Sequence, residues 1–508
     1  MKRWLCLILI AALLVLSVPA TAEEIDAANW YEVFVYSYQD SDGNGIGDLN
    51  GLRARLDYIA DMGFDGLWLM PIMPSPSYHK YDVTDYYAVD PLYGTVDDLK
   101  ALVEECHERG IRLILDLVVN HTSSQHPWFR EACMALRQGE MDNPYIDYYC
   151  FSEQPGNKMV QLSGTGWYYE EQFSGGGMPD LNLHNPAVME EIRAIMTFWL
   201  TECDVDGFRL DAVTSFHTGS VTDNIAILHE LKDMAEDIKP GSYLVGEAWT
   251  SLGEIAQYYA SGIDSFFLFP ASQAEGYIAQ VIRSMKPASA YLAYLKQVED
   301  AIPSGVWAPF LSNHDTGRAV AAMQARTSPA KLKFAHALLA MMGGNTFTYY
   351  GEEIGMAGSG VDPNKRTAMY WNDDDMTQNP PGVTKAEYPY PSVDEQLADP
   401  DSLLNYIRAL NALKKRIPAI ARGAHTTVWN DDFLCLMRRD WQDKQVYIAI
   451  NFSATDTLAL TLPEELNIPI LLGELEASEG TALLDAENAS ITLPPYAIIV
   501  LGDLPRVY

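Results

Sequence analysis

Four carboxylates stand at or near the ends of separate short apolar runs: Asp116, Asp211, Glu247 and Asp315. A single such residue is usually a turn or cap, but four together point to acid–base chemistry. Cleaving a glycosidic bond with retention needs a carboxylate nucleophile and a protonated carboxylic acid about 5–5.5 Å apart. Asp211 suits the first task, because Arg209, two residues earlier, falls on the same side of a strand and can hold the carboxylate ionised and oriented. Glu247 suits the second, because partial desolvation beside Trp249 would keep its proton until a leaving oxygen takes it. Asp315, after Asn313 and His314, would add a third negative charge and accept from sugar hydroxyls, and His121 would add another hydroxyl contact.

A second constellation is Asp40-Ser41-Asp42-Gly43-Asn44-Gly45-Ile46-Gly47-Asp48. Oxygen-bearing side chains at Asp40, Asp42, Asn44 and Asp48, with the Ile46 carbonyl, could surround a hard cation such as Ca2+. The spacing begins like that of a helix-loop-helix calcium loop, but Gly51 stands where its closing Glu belongs and a strand precedes it. A structural ion is expected rather than a sensor, with a plain Asp/Gly-rich turn as the alternative.

The elements that must position these groups are legible as eight short apolar segments: Glu32–Tyr38, Gly66–Pro71, Arg112–Val119, Gly207–Val213, Ser242–Trp249, Asp264–Pro270, Trp307–Asp315 and Asn345–Tyr350. Amphipathic stretches such as Leu49–Met62, Val96–Arg109, Pro186–Glu202, Asn224–Ile238 and Leu332–Met342 separate them. The alternation predicts an α/β fold. Eight strands favour a closed (β/α)8 barrel over a doubly wound sheet, because only a barrel brings the ends of all these strands to one face. The crossover 121–180 is too long and too rich in aromatics, Pro and Gly (Ser174-Gly175-Gly176-Gly177) for one helix, and predicts a small excursion domain beside the cleft. From about Gly423, strand-like runs such as Phe433–Met437, Val446–Ile450 and Ala497–Leu501 predict a C-terminal antiparallel β-sandwich. The expected division is a leader 1–22, barrel 23–120 and 181–422, excursion 121–180 and sandwich 423–508.

Lys2 and Arg3 precede the apolar run Trp4–Val18 and the small residues Ala20-Thr21-Ala22, the pattern of a secretory signal cleaved after Ala22. The run is short for a retained anchor, since a bilayer span takes about 20 residues. A secreted or extracytoplasmic protein, without stable membrane insertion after cleavage, is expected. The chain is 508 residues long, 48% hydrophobic and 20% charged, with a net charge of -35 that repels nucleic acid and anionic lipid. Five cysteines follow the leader, so at least one thiol in a monomer is unpaired. Cys133 and Cys150 could pair in an oxidising compartment, and buried structural thiols are the alternative.

The ordered blocks Asp116–His121, Gly207–Ala212, Gly246–Trp249 and Ser312–Asp315, with weaker blocks Gly63–Pro71 and Met178-Pro179-Asp180-Leu181-Asn182, resemble the alpha-amylase family, glycoside hydrolase family 13. The last block is similar to the group intermediate between oligo-1,6-glucosidases and neopullulanases. This resemblance implies Asp211 as nucleophile, Glu247 as acid/base and Asp315 as the carboxylate that stabilises the transition state. It implies that Arg209, His121 and His314 bind the sugar at the cleavage point or orient the nucleophile. Tyr81 and Asp82 resemble the family's stacking aromatic and an additional sugar-binding carboxylate. It favours Ca2+ at the Asp40–Asp48 loop, and relates Asn120 to a different, interdomain calcium site whose other ligands are not evident.

Ala212, directly after Asp211, resembles the small residue that accompanies alpha-1,4 rather than alpha-1,6 preference. The expected activity is retaining endo-hydrolysis of alpha-1,4-glucosidic bonds in starch and maltooligosaccharides by a monomer. A neopullulanase-like hydrolase or 4-alpha-glucanotransferase is the alternative, and a noncatalytic glucan-binding barrel is opposed by the complete acidic set. One departure stands out: the family usually has Gly where this chain has Lys80, which is expected to put a long cation near the cleft.

Overall fold

A computed structural model describes residues 28–503 apart from 174, 304, 305, 465, 467 and 468. The expected leader 1–22 and residue 174 lie outside the described residues. Seven parallel strands form one curled sheet, in the order Thr346–Tyr349, Asn29–Val33, Gly66–Leu69, Arg112–Leu117, Gly207–Leu210, Tyr243–Gly246, Ser265–Phe266. Two parallel bridges, Phe267 to Ala308 and Phe310 to Phe347, join the outer strands through the segment 308–310 and close the ring. The architecture is therefore a (β/α)8 barrel whose seventh strand is held by single bridges.

Register explains which side chains enter the barrel. Successive residues of a strand face opposite ways, so Ile114 and Asp116 share a face. Asp116 is paired with Arg209 and Arg209 with Val245. The same face therefore carries Asp116, Arg209, Asp211, Val245 and Glu247. Below them the interior is filled by Trp30, Trp68, Ile114, Tyr243, Val245, Phe267, Phe310 and Phe347, all buried. This packing is tight enough to require glycine at Gly66, where a Cβ would lie 2.3 Å from the Trp30 ring. The opposite faces of the strands, including Leu67, Leu69, Leu113, Leu115, Phe208, Leu210 and Leu244, join the larger core under the helices.

Two elements differ from the sequence expectation. The first strand is Asn29–Val33, and Val35–Ser37 is a 3-10 turn, so the apolar run Glu32–Tyr38 is buried without being extended throughout. The helical stretch Leu49–Met62 is two helices, Leu49–Ala54 and Leu56–Asp61, interrupted at Arg55, whose φ of -107° and ψ of 7° are not helical.

The crossover after the third strand contains the helix Pro127–Gln138 and a small sheet of Phe151–Ser152, Met159–Gln161 and Tyr168–Glu170. An antiparallel bridge between His121 and Asp180 draws the ends of this excursion together. Beyond the barrel, a five-stranded antiparallel sheet begins with Ala424–Asn430 and faces a three-stranded sheet of Leu458–Thr461, Leu483–Asp485 and Ser490–Leu493. Leu434, Leu436, Ala449, Ile499 and Leu501 from one sheet meet Leu460, Ile491 and Leu493 from the other in a separate core, which is the packing of a β-sandwich. The described cysteines, Cys106, Cys133, Cys150, Cys203 and Cys435, are all free, so the Cys133–Cys150 pairing is not formed. No helix among the described residues is long and apolar enough to cross a membrane.

Candidate active site

At the C-terminal mouth of the barrel lies a cavity of about 510 Å3, lined by Asp211, Ala212, Glu247 and Asp315 beyond the strand ends, by Tyr81 and His121 from the loops after the second and third strands, and by Phe173 and Met178 from the excursion. Arg209 is the hub beneath it. Its Nη1 donates to Asp211 Oδ1 at 2.6 Å and to Asp116 Oδ1 at 2.8 Å, and its Nη2 lies 3.0 Å from Glu247 Oε2. One buried, planar cation thus holds three carboxylates at once, a task that suits the multi-donor guanidinium fork.

The backbone adds a further contact on Glu247. Ala212 has a left-handed φ of 50°, and its N–H donates to Glu247 Oε2 at 2.9 Å. Burial nevertheless pushes the Glu247 carboxyl up to about 7, against the opposing pull of Arg209 and helped by the negative charges of Asp211 and Asp315. Trp249, expected beside Glu247, stands on the wall of the same cavity. Its ring is 47% exposed and stacks on Phe269 with centroids 4.7 Å apart.

Asp315 is held differently. Its Oδ2 lies 3.0 Å from His314 Nε2 and its Oδ1 accepts from Arg366 Nη2 at 2.7 Å. Burial alone would raise this carboxyl, but His314 and Arg366 hold it well below the usual carboxylate range. Burial would likewise lower His314, but Asp315 and Glu32, the latter 2.6 Å from His314 Nδ1, lift it to about 9. Two carboxyls of one cavity are therefore driven apart: Glu247 keeps its proton near neutrality and Asp315 does not.

The structure places the other expected sugar contacts unevenly. Tyr81 lines the cavity, and its hydroxyl donates to Asp116 Oδ2 at 3.0 Å and lies 2.7 Å from His314 Nε2. His121 also lines it, packed edge-on against Phe173, a ring that is itself 42% exposed. Arg209 and His314 are fully buried under the carboxylates and reach the cavity only through them. Asp82 is off the wall, because its carboxylate accepts from the Ser75 and Ser77 hydroxyls.

Lys80 corrects the sequence reading outright. Its backbone is left-handed, with φ of 67°, which sends the side chain away from the cleft. The Nζ is buried and pairs with Asp90 Oδ2 at 2.6 Å, over the Tyr93 ring. Arg366, Lys365 and Glu32 were missed by motif spacing. The Lys365 Nζ reaches the Asp315 carbonyl at 2.5 Å and Asp362 Oδ1 at 2.8 Å, tying the loop after the last strand to the site.

In the Asp40–Asp48 loop, the carboxylates of Asp40, Asp42 and Asp48 each bring an oxygen within 4.8 Å of the others. Asn44 donates to Asp42 Oδ2 at 3.1 Å, while its side-chain oxygen accepts from the Ile46 N–H at 2.7 Å. Three converging carboxylates fit a hard dication. Gly51 cannot be the closing ligand of a sensor loop, since a Cβ there would lie 2.0 Å from the Gln39 carbonyl oxygen.

Comparison with known proteins agrees with this geometry. Residues 32–423 match the family described as "Alpha amylase, catalytic domain". The chain is 37% identical over 448 residues to Alpha-amylase 3 of Dictyoglomus thermophilum, covering 84% of this chain and 85% of that one. It is 33% identical over 479 residues to the trehalose synthase/amylase TreS of Mycobacterium tuberculosis, covering 80% and 78%. The solved structure of Amy13B from Eubacterium rectale superposes with a TM-score of 0.90 at 41% identity, covering 94% of this chain and 96% of that chain. With the barrel, the acidic cavity and these relatives in agreement, the chain belongs to the alpha-amylase family of glycoside hydrolases.

Proposed function

We propose that the protein is a secreted alpha-amylase that hydrolyses internal alpha-1,4-glucosidic bonds of starch and maltooligosaccharides with retention, through Asp211, Glu247 and Asp315. The single observation that carries this reading is the shared grip of Arg209 on Asp211 and Glu247. Neighbouring nitrogens of one guanidinium keep the two carboxyls close, as a retaining pair requires.

Asp211 attacks the anomeric carbon as the glycosidic C–O bond breaks, and Glu247 gives its proton to the departing oxygen. Asp315, ionised between His314 and Arg366, faces the positive charge that develops on the sugar. Glu247 then takes a proton from water, whose oxygen attacks the anomeric carbon and releases Asp211. Tyr81 and His121 contact the sugar from the cavity wall. Arg209 and His314 position the carboxylates.

Exposed rings on opposite parts of the chain, Phe173 and Trp249, offer faces for sugars on either side of the cut, which suits an internal site on a chain. Small Ala212 beside Asp211 supports the alpha-1,4 preference. Asp40, Asp42 and Asp48, with Asn44 and the Ile46 carbonyl, would hold Ca2+, which supplies loop rigidity and no reacting atom.

Sugar transfer, as in a glucanotransferase, is the second reading, favoured by Trp249, which could seat an acceptor sugar as readily as a product. Product analysis separates the two. Starch, pullulan and maltotriose are digested and the released anomer is followed by NMR. Short alpha-anomeric products from starch support the proposal. Chains longer than maltotriose from maltotriose would replace it with sugar transfer, and panose from pullulan would replace it with a neopullulanase-like hydrolase.

A further inference from the structure

Two exposed histidines stand beside the cleft without a place in the mechanism. His184 Nε2 and His217 Nδ1 are 2.8 Å apart, their rings crossed at 72°. They come from different loops, one following the excursion and one following the fourth barrel strand. Both positions are pinned: the His217 N–H donates to the buried Asn224 side chain at 2.6 Å, and Asn182 and Asn185, flanking His184, donate to the Asp147 carbonyl. Thr214 and Ser215, just before His217, line the cavity.

We propose that His184 and His217 form a two-imidazole site for a borderline transition-metal dication, Cu2+ or Ni2+, on the rim of the cleft. Once the hydrogen bond between them is given up, the two nitrogens, now 2.8 Å apart, need only a small ring rotation to reach one ion at metal–nitrogen bonds of about 2.0–2.1 Å. Imidazole nitrogen suits both ions, and Cu2+ stands highest in affinity among the first-row dications. A second observation orients one ligand. The other ring nitrogen of His217, Nε2, has Asp223 Oδ2 3.9 Å away, a charge that favours the proton on that side and leaves the Nδ1 lone pair to accept from His184 or to bind a metal.

His184 then carries the shared proton as donor. On metal binding its Nε2 gives that proton up, and its Nδ1 takes one from solvent, so both rings stay neutral. The net charge of -35 draws cations to the surface. A metal held here would obstruct glucan at the rim and so inhibit. That consequence rests on the amylase reading, whereas the binding itself does not.

The test uses the tag-free full chain in excess Ca2+, titrated calorimetrically with Cu2+ and Ni2+, with EPR of the Cu2+ form. The expected result is one Cu2+ site with two-nitrogen hyperfine coupling. His184→Ala and His217→Ala should each abolish the two-nitrogen coupling and weaken binding more than Asp223→Asn, which should weaken it by about 10-fold. Unchanged affinity and an unchanged spectrum in both histidine variants would overturn the proposal. Starch hydrolysis undiminished in the wild-type chain with Cu2+ bound at this site would instead count against the placement of glucan at this rim.

Discussion

Replacing Lys80 tests whether a residue that resembles a cleft cation is in fact a buried strut. Lys80→Met removes the partner of Asp90 Oδ2 and leaves a carboxylate buried among Tyr93 and its neighbours. Breaking a buried pair by removing one charge costs about 3–5 kcal/mol. Lys80→Gly loses the same pair but relieves the left-handed φ of 67°, which costs an L-residue about 1–2 kcal/mol, so its net loss should be about 1–4 kcal/mol. Lys80→Met combined with Asp90→Asn removes both charges and should recover most of the stability. Urea unfolding followed by tryptophan fluorescence reads these differences. The expected order of stability is wild type and double variant above Lys80→Gly, with Lys80→Met lowest. A Lys80→Met chain within about 1 kcal/mol of wild type, or one weakened chiefly in glucan affinity, would refute the strut and restore Lys80 to the cleft.

The pH profile should follow Glu247. Its carboxyl is raised to about 7, so the proton donor is present below that pH and lost above it. The kcat/KM of starch hydrolysis should fall as pH rises through about 7, and a flat profile to pH 9 would contradict the assignment. For the metal loop, a strong chelator should lower the melting temperature, and Asp42→Ala should need more Ca2+ to regain it. At 100 times its Kd, a bound ion stabilises by about 2.7 kcal/mol. An unchanged melting temperature after chelation would remove the Ca2+ site.

The barrel interior was readable because strand alternation and apolar run length carry it. Arg209, Asp211 and Glu247 follow one inward face across two paired strands. The alternation said less where pairing is thin, as at 308–310, held by single bridges, and around Val35–Ser37, where an apolar run turns instead of extending. Glu32 offered a signal that was passed over, since a lone charge inside the apolar run Tyr31–Phe34 must find a buried partner, here His314. Arg366 offered none, because its contact with Asp315 spans 51 residues and depends on how the loop after the eighth strand folds back. Lys80 misled for a backbone reason. A lysine gives no sign of a left-handed φ, and that torsion decides which way the cation points.

The central claim is that Asp211 forms the covalent bond to the sugar. Incubation with a 5-fluoro-alpha-glucosyl fluoride, followed by peptic digestion and mass spectrometry, reads it directly. A glycosylated peptide carrying the label on Asp211 is expected, with no label in Asp211→Ala. A label on Glu247 or Asp315, or undiminished labelling of Asp211→Ala, would contradict it.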